Sequence, residues 1–269
     1  MTKVNTFYIG PPKTASTWLH KVLSKHEQVS CSKTNTTNFF MFKEYIQTEK
    51  EYENQFTEKM VNIDFSHSYF NREAIVKILQ YNPDAKFIII VRDPIKRTWS
   101  HYWHKKKKLI INYNQQDLLT NYYAFLEFVQ TSFYGDFFES TRDIISPHQL
   151  LIIKQTACKD DPQQVIDTIC TFLNINKYNI PEINNKYNIA GPKKNIFVKG
   201  IYVLSKPLQK YPTLYYKVRH NKISKKVLSL IAPQEKLESH TKSDLKKIFK
   251  KDQQKLNAFL DTFEGRIVR

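Results

Sequence analysis

The sequence predicts an α/β fold, a three-layer sandwich in which helices flank a central parallel β-sheet. Three observations carry that expectation. Ala85 to Val91 is dominated by isoleucine and stopped by Asp93-Pro94, as suits a strand covered on both faces. Leu150 to Ile153 repeats the pattern, and the strand-like segments alternate with helical ones.

Taken in order, Val4 to Gly10 reads as the first strand, and Gly10-Pro11-Pro12 breaks it. A helix follows with Leu19, Val22, Leu23 and His26 on one face. After the isoleucine strand, Leu118 to Gln130 reads as helix. Pro162 to Leu173 reads as another, with Asp161 as its cap and Pro162 in its first turn. Near the end Leu245, Ile248, Phe249, Asp252, Leu256, Phe259 and Leu260 recur at helical spacing with one polar interruption, the mark of a long amphipathic helix. Residues 188–234 carry irregular Pro and Gly and many basic residues, and are expected to form loops and short helices over an active site. No internal repeat or linker divides the chain, so a single domain spanning 1–269 is expected.

Forty-two Lys and Arg stand against 25 Asp and Glu, a net charge of +17 that favours anionic partners. Between Glu182 and Glu235 there is no acid, while eleven Lys and Arg occur. Three cysteines, Cys31, Cys158 and Cys170, lack paired spacing, which argues against a disulfide framework or a zinc cluster and for a reducing compartment. The N-terminal segment has no secretory pattern. The longest apolar run, Phe87 to Val91, is far short of the roughly 20 residues a spanning helix needs. A soluble, cytoplasmic protein without stable membrane association is the expectation.

Two segments carry chemistry. Pro11-Pro12-Lys13-Thr14-Ala15-Ser16-Thr17-Trp18 lies between the first strand and the first helix. A loop entering a helix presents unpaired N–H groups at the positive end of the helix dipole, and Lys, Ser and Thr add donors for phosphate or sulfate oxygens. The glycines and Gly-Lys-Ser/Thr ending of a nucleoside-triphosphate loop are absent, which disfavours a kinase. An ordinary capped helix start remains the plain alternative. The second segment, Arg92-Asp93-Pro94-Ile95-Lys96-Arg97-Thr98-Trp99-Ser100-His101-Tyr102, follows the isoleucine strand. Arg92 can grip a phosphate with two prongs and Ser100 can add a hydrogen bond. Alternatively, Arg92 and Asp93 form a structural ion pair, and Trp99 and Tyr102 belong to the core.

Together and in this order, the two segments resemble the nucleotide-dependent sulfotransferases, in the branch of bacterial and heparan-sulfate-type enzymes with a P-loop-NTPase-like fold. Asp64-Phe65-Ser66-His67-Ser68-Tyr69-Phe70 resembles a further family block, with His67 where proline is usual. The resemblance implies PAPS (3'-phosphoadenosine 5'-phosphosulfate) as donor and PAP as product. By it, Lys13, Thr14, Ala15, Ser16, Thr17 and Trp18 hold the 5'-phosphosulfate, while Arg92 and Ser100 hold the 3'-phosphate. Lys193 and Lys194, after Gly191-Pro192, are candidates for a loop that closes over the 3'-phosphate.

The pattern departs from the family at Asn35-Thr36-Thr37-Asn38-Phe39-Phe40, where Thr36 stands in place of a glutamate that would be the general base. His67 is then the favoured substitute, with Asp64 beside it, because histidine titrates near neutral pH. The alternatives are a bland histidine after a short strand and an aspartate that caps a turn. His101, His104 and Glu44 are weaker candidates, and the Lys105 to Lys108 run reads as a solvated helix end.

The resemblance further implies direct in-line transfer without a covalent enzyme intermediate, with Lys13 neutralising charge on the departing oxygen and no metal required. The expected partner is a small-molecule acceptor, such as a natural product, with a carbohydrate or glycolipid as alternative. A nucleic-acid-binding protein would explain the charge and the aromatic residues, but not two phosphate motifs at strand ends.

Overall fold

The computed structural model describes residues 3–34, 36–41, 46–107, 110–180 and 236–268. Residues 188–234, including Lys193 and Lys194, lie outside the described residues, as does Glu44. Where the sequence predicts one domain, the chain divides into two compact units. The first comprises Met1–Arg97, Thr131–Tyr187 and Lys246–Arg269, and the second Thr98–Gln130 and Asn188–Leu245.

The first unit is built on a six-stranded sheet in the order β2-β3-β1-β4-β5-β6. Its strands are β1 (Thr6–Tyr8), β2 (Val29–Cys31), β3 (Val61–Asp64), β4 (Lys86–Val91), β5 (Leu150–Lys154) and β6 (Arg266–Val268). Every neighbouring pair is parallel. The α/β sandwich expected from the sequence is therefore present.

The sheet is parallel because its strands are apolar on both faces. Phe87, Ile89 and Val91 of β4, with Leu150 and Ile152 of β5, point into one core, while Ile88, Ile90, Leu151 and Ile153 point into the other. The first core is closed by α3 (Arg72–Tyr81), α7 (Tyr134–Thr141) and part of α10 (Ser239–Thr262). The second is closed by α1 (Ser16–Leu23) and α9 (Pro162–Leu173). Each fully buried Leu, Ile or Phe contributes roughly 1.5–3 kcal/mol, so both layers stabilise the sheet.

Local signals end the helices where the chain must turn. Asp161 caps α9, its side chain accepting from the Gln164 N–H, and Asn174 closes the helix in the left-handed region at φ 58°. Helix α1 stops at Leu23, earlier than the sequence predicts, and His26 sits in the following turn with its Nε2 2.9 Å from the Asn176 carbonyl oxygen. Gly135 lets α7 approach α10 closely: a Cβ there would lie 2.2 Å from the Asp252 carbonyl oxygen.

In the second unit, the helix expected over Leu118 to Gln130 is broken into α5 (Asp117–Thr120), α6 (Tyr122–Ala124) and a π turn over Phe125–Val129. The cause is Asn121, which adopts extended backbone and caps α6 by accepting from the Ala124 N–H. Phe128 is fully buried and meets His101 and Tyr102 edge-on at 5.0 and 6.0 Å. Those two residues lie on α4 (Pro94–Lys107), whose last three turns belong to this unit. The lysines at the end of α4 are less free than a solvated helix end: Lys105 pairs with Glu127, and Lys106 donates to the Tyr113 carbonyl at 2.8 Å.

Candidate active site

Strand order reverses at β1, which has β3 on one side and β4 on the other. In parallel sheets such a switch point opens a crevice at the carboxyl ends of the strands. The three segments singled out in the sequence leave those ends: residues 10–17 follow β1, Phe65 to His67 follow β3, and Arg92 follows β4.

The loop after β1 is shaped by residues below it. Tyr8 is fully buried, stacks on Phe65 at 5.6 Å between centroids, and donates its hydroxyl to Thr14 Oγ1 at 2.5 Å. Thr14 passes its own proton to the Pro11 carbonyl at 2.7 Å. Its hydroxyl is thereby committed inward, and only its backbone N–H is left to serve a ligand. Gly10 is required by close approach, since a Cβ would stand 2.5 Å from the Tyr8 hydroxyl oxygen. Lys13 and Ala15 hold φ values of 75° and 76°, a left-handed conformation costing non-glycine residues about 1–2 kcal/mol each. Strain kept at two nearby positions needs surroundings that enforce it.

Those surroundings include two arginines. Arg92 donates from Nη1 to the Lys13 carbonyl at 2.8 Å, and Arg97 from Nη1 to the Pro12 carbonyl at 3.2 Å. The backbone N–H groups of Thr14, Ala15, Ser16 and Thr17 meet no acceptor among the described residues, while those of Trp18 and Leu19 bond to the Ala15 carbonyl. Four unpaired donors at the start of α1 make an anion cradle. Ser16 is buried, Thr17 is exposed and Trp18 is half-buried.

Arg92 does not form the ion pair with Asp93 that the sequence left open. Asp93 is exposed and caps α4, accepting from the Lys96 N–H at 2.7 Å. Arg92 Nε is buried with no partner among the described residues. Burial holds this guanidinium somewhat below its usual pKa. Ser100 lies further along α4 and belongs to the second unit.

His67 begins a short 3₁₀ turn after β3, with its ring edge-on to Tyr8 at 6.3 Å. Its Nδ1 is buried and unpartnered among the described residues. Burial, then the positive charge of Lys13, push its pKa down to about 4, against a smaller upward pull from a hydrogen bond with the Gly10 backbone. The ring is thus neutral at physiological pH and lies beside the lysine. His20, on α1, packs against Phe65 at 5.1 Å, and burial lowers its pKa too.

Asp64 lies at the centre of a buried hydrogen-bond cluster. Its carboxylate is fully buried and accepts hydroxyls from Thr37 at 2.6 Å, Ser66 at 2.7 Å, and Tyr52 and Tyr69 at 2.9 Å. Burial raises its pKa and the four hydroxyls pull it back. With both oxygens occupied and no exposure, it is a hub that ties Thr37, Tyr52, Ser66 and Tyr69 together. The hub also holds the segment around Thr36, because Ser66 Oγ accepts from the N–H groups of Thr37 and Asn38 at 3.1 and 2.9 Å. Thr36 itself is half-buried.

Among the described residues no cluster of three or more His, Cys, Asp or Glu could hold a metal ion. No described helix is long and apolar enough to cross a membrane.

The profile of the sulfotransferase family matches residues 41–179, just over half of the 269-residue chain. The chain belongs to the sulfotransferase family. The match takes in Asp64, His67, Arg92 and Ser100, and begins after the cradle loop. A sulfotransferase from Alicyclobacillus acidocaldarius superposes with a TM-score of 0.62 at 17% identity, over 80% of this chain and 97% of that one. At that identity the likeness establishes the fold, the P-loop-like sandwich that family members share. The sulfotransferase domain of the curacin biosynthetic pathway gives 0.48 at 16% identity, over 93% of this chain and 98% of that one. A mouse sulfotransferase complexed with PAP gives 0.47 at 18%, over 84% and 89%. A search among curated proteins finds no match to this sequence.

Sequence reasoning about this sulfotransferase missed Tyr8, Thr37, Tyr52, Tyr69 and the destination of Arg97. Tyr69 stands in the recognised block, but nothing local says that its hydroxyl turns toward Asp64.

Proposed function

We propose that this sulfotransferase moves a sulfuryl group from PAPS to a hydroxyl or amine of a small-molecule acceptor, a natural product in the first instance, by direct in-line displacement. The observation that carries the reading is the pairing of unfilled donors on adjacent strand ends. The N–H groups of Thr14 to Thr17 follow β1, and the orphaned Nε of Arg92 follows β4. These residues fit a nucleotide with anions at both its 5' and 3' positions.

In this reading the cradle of Lys13 to Trp18 binds the 5'-phosphosulfate, and Arg92 binds the 3'-phosphate with Ser100 and, beyond the described residues, Lys193 and Lys194. PAPS, when bound, supplies an activated sulfuryl group on a stable leaving phosphate. Lys13 places its ammonium where charge grows on the departing oxygen, and the oriented N–H groups need no rearrangement to stabilise it. Neutral His67 is assigned to take the acceptor's proton. A pKa near 4 makes it a weak base. That suffices when the proton is lost late, from an oxygen already bonding to sulfur. Because Lys13 and Arg92 supply the positive charge, no metal is assigned a part, and turnover is expected to survive chelation.

The test is calorimetric titration with adenosine 3',5'-bisphosphate against ATP and AMP, on the wild type and on Arg92→Ala. Selective binding that the substitution weakens supports the reading. Equal preference for ATP would overturn it.

A further inference from the structure

We infer that Arg97 is a positioning residue that fixes the peptide plane leading into the cradle, and so the direction of the cradle's first N–H, for the 5' end of the donor. This rests on the reading of the cradle given above. Arg97 is fully buried. Its Nη1 reaches the Pro12 carbonyl at 3.2 Å, while Nε and Nη2 are held by Ser132 Oγ and Thr131 Oγ1. Arg92 takes the next carbonyl, that of Lys13, at 2.8 Å. Two guanidiniums thus grip two consecutive peptide planes.

The geometry of the peptide turns that grip into a function. In a trans peptide the N–H points opposite to the C=O of the same plane, and the described chain has no cis bond. The Pro12 carbonyl shares its plane with the Lys13 N–H, and the Lys13 carbonyl with the Thr14 N–H. Drawing both carbonyls toward the arginines fixes the planes on either side of the Lys13 Cα, and so turns the Thr14 N–H, the first of the four cradle donors, away from the arginines. The same grip flanks Lys13 and holds it in the left-handed region, where glycine would otherwise be the easy choice. A nucleotide-binding loop commonly gets this backbone from glycine. Here buried charge enforces it on Lys13.

A purely structural arginine and a positioning one differ in what they do to two ligands. Adenosine 3',5'-bisphosphate uses the cradle, whereas adenosine 3'-monophosphate lacks the 5'-phosphate and depends on the Arg92 side alone. In calorimetry, Arg97→Met is expected to weaken the bisphosphate about tenfold or more. The same substitution should change 3'-monophosphate affinity by less than about twofold, and Arg97→Lys, which cannot bridge both anchors, should fall between. If Arg97→Met does not fold, Ser132→Ala removes the Nε anchor with less disruption and should narrow the gap between the two ligands in the same sense. Equal weakening of both ligands, or of neither, overturns the positioning role and leaves the donor reading intact. Failure of the wild type to bind the bisphosphate overturns the donor reading and this inference together.

Discussion

His67 offers a perturbation whose size follows from the structure. Its pKa falls from 6.5 to about 4 because the ring is buried beside Lys13. The folded state therefore binds fewer protons than the unfolded chain between those values, and stability rises with pH across that window. The contribution is complete above pH 6.5 and is lost as pH falls through 4. At about 1.4 kcal/mol per pH unit, the full effect is bounded at about 3.5 kcal/mol, and about 2 kcal/mol of it is gone by pH 5. The ring is partly exposed, and solvent screening reduces the expectation at pH 5 to about 1 kcal/mol. Urea denaturation at pH 7.5 and pH 5, for the wild type and His67→Gln, isolates the term from other titrating groups: the variant should lose less stability on acidification by about that amount. The His67 ring resonance, followed by NMR, should titrate well below 6. With a base of this pKa, kcat/KM should also show no limb near 6.5. A ring that titrates at 6 to 7, or identical acid sensitivity in the variant, refutes both the burial and the Lys13 proximity on which the reasoning depends.

Three further outcomes are expected. Lys13→Ala should lower kcat by about a hundredfold or more, as loss of a charge-stabilising donor does, with little change in the thermal midpoint; unchanged turnover would remove Lys13 from the chemistry. Gly10→Ala should push the Tyr8 ring away from Thr14 and weaken adenosine bisphosphate binding, measured by the same calorimetry, because the added Cβ has no room. Asp64→Ala leaves four buried hydroxyls without their acceptor and should cost roughly 3 kcal/mol or more in urea denaturation; a stable variant that had lost only catalysis would favour Asp64 as a base.

The fold was legible where physics acts locally. Isoleucine runs buried on both faces announce β4 and β5, and Asp161-Pro162 announces the start of α9. Strand β3 was not legible as an element, because two of its four residues, Asn62 and Asp64, are polar and yet buried. Its neighbour β2 and the last strand β6 span three residues each, too short for an alternation to register. In the site, Lys13 and Arg92 were legible through motif and strand-end position. The surroundings of Asp64 were not legible, since its carboxylate draws two hydroxyls from distant positions, Thr37 and Tyr52, in addition to those of Ser66 and Tyr69 nearby. The helix break at Asn121 shows the reverse case, in which a single side chain capping its own backbone overrode a helical pattern.

The outer strand β6 imposes an order on assembly. Its partner β5 is complete by residue 154, but residue 151 pairs with residue 266. Until that later stretch has been synthesised, the Leu-Leu-Ile-Ile edge of β5 presents unpaired N–H and C=O groups to any other extended chain. Closing so long a loop is slow compared with forming local helices. The nascent sulfotransferase therefore carries an adhesive, apolar edge until the end of its synthesis. A lesion in β6 or in the α10 segment that delivers it should appear first as poor soluble yield, with the donor affinity of the molecules that do fold left intact.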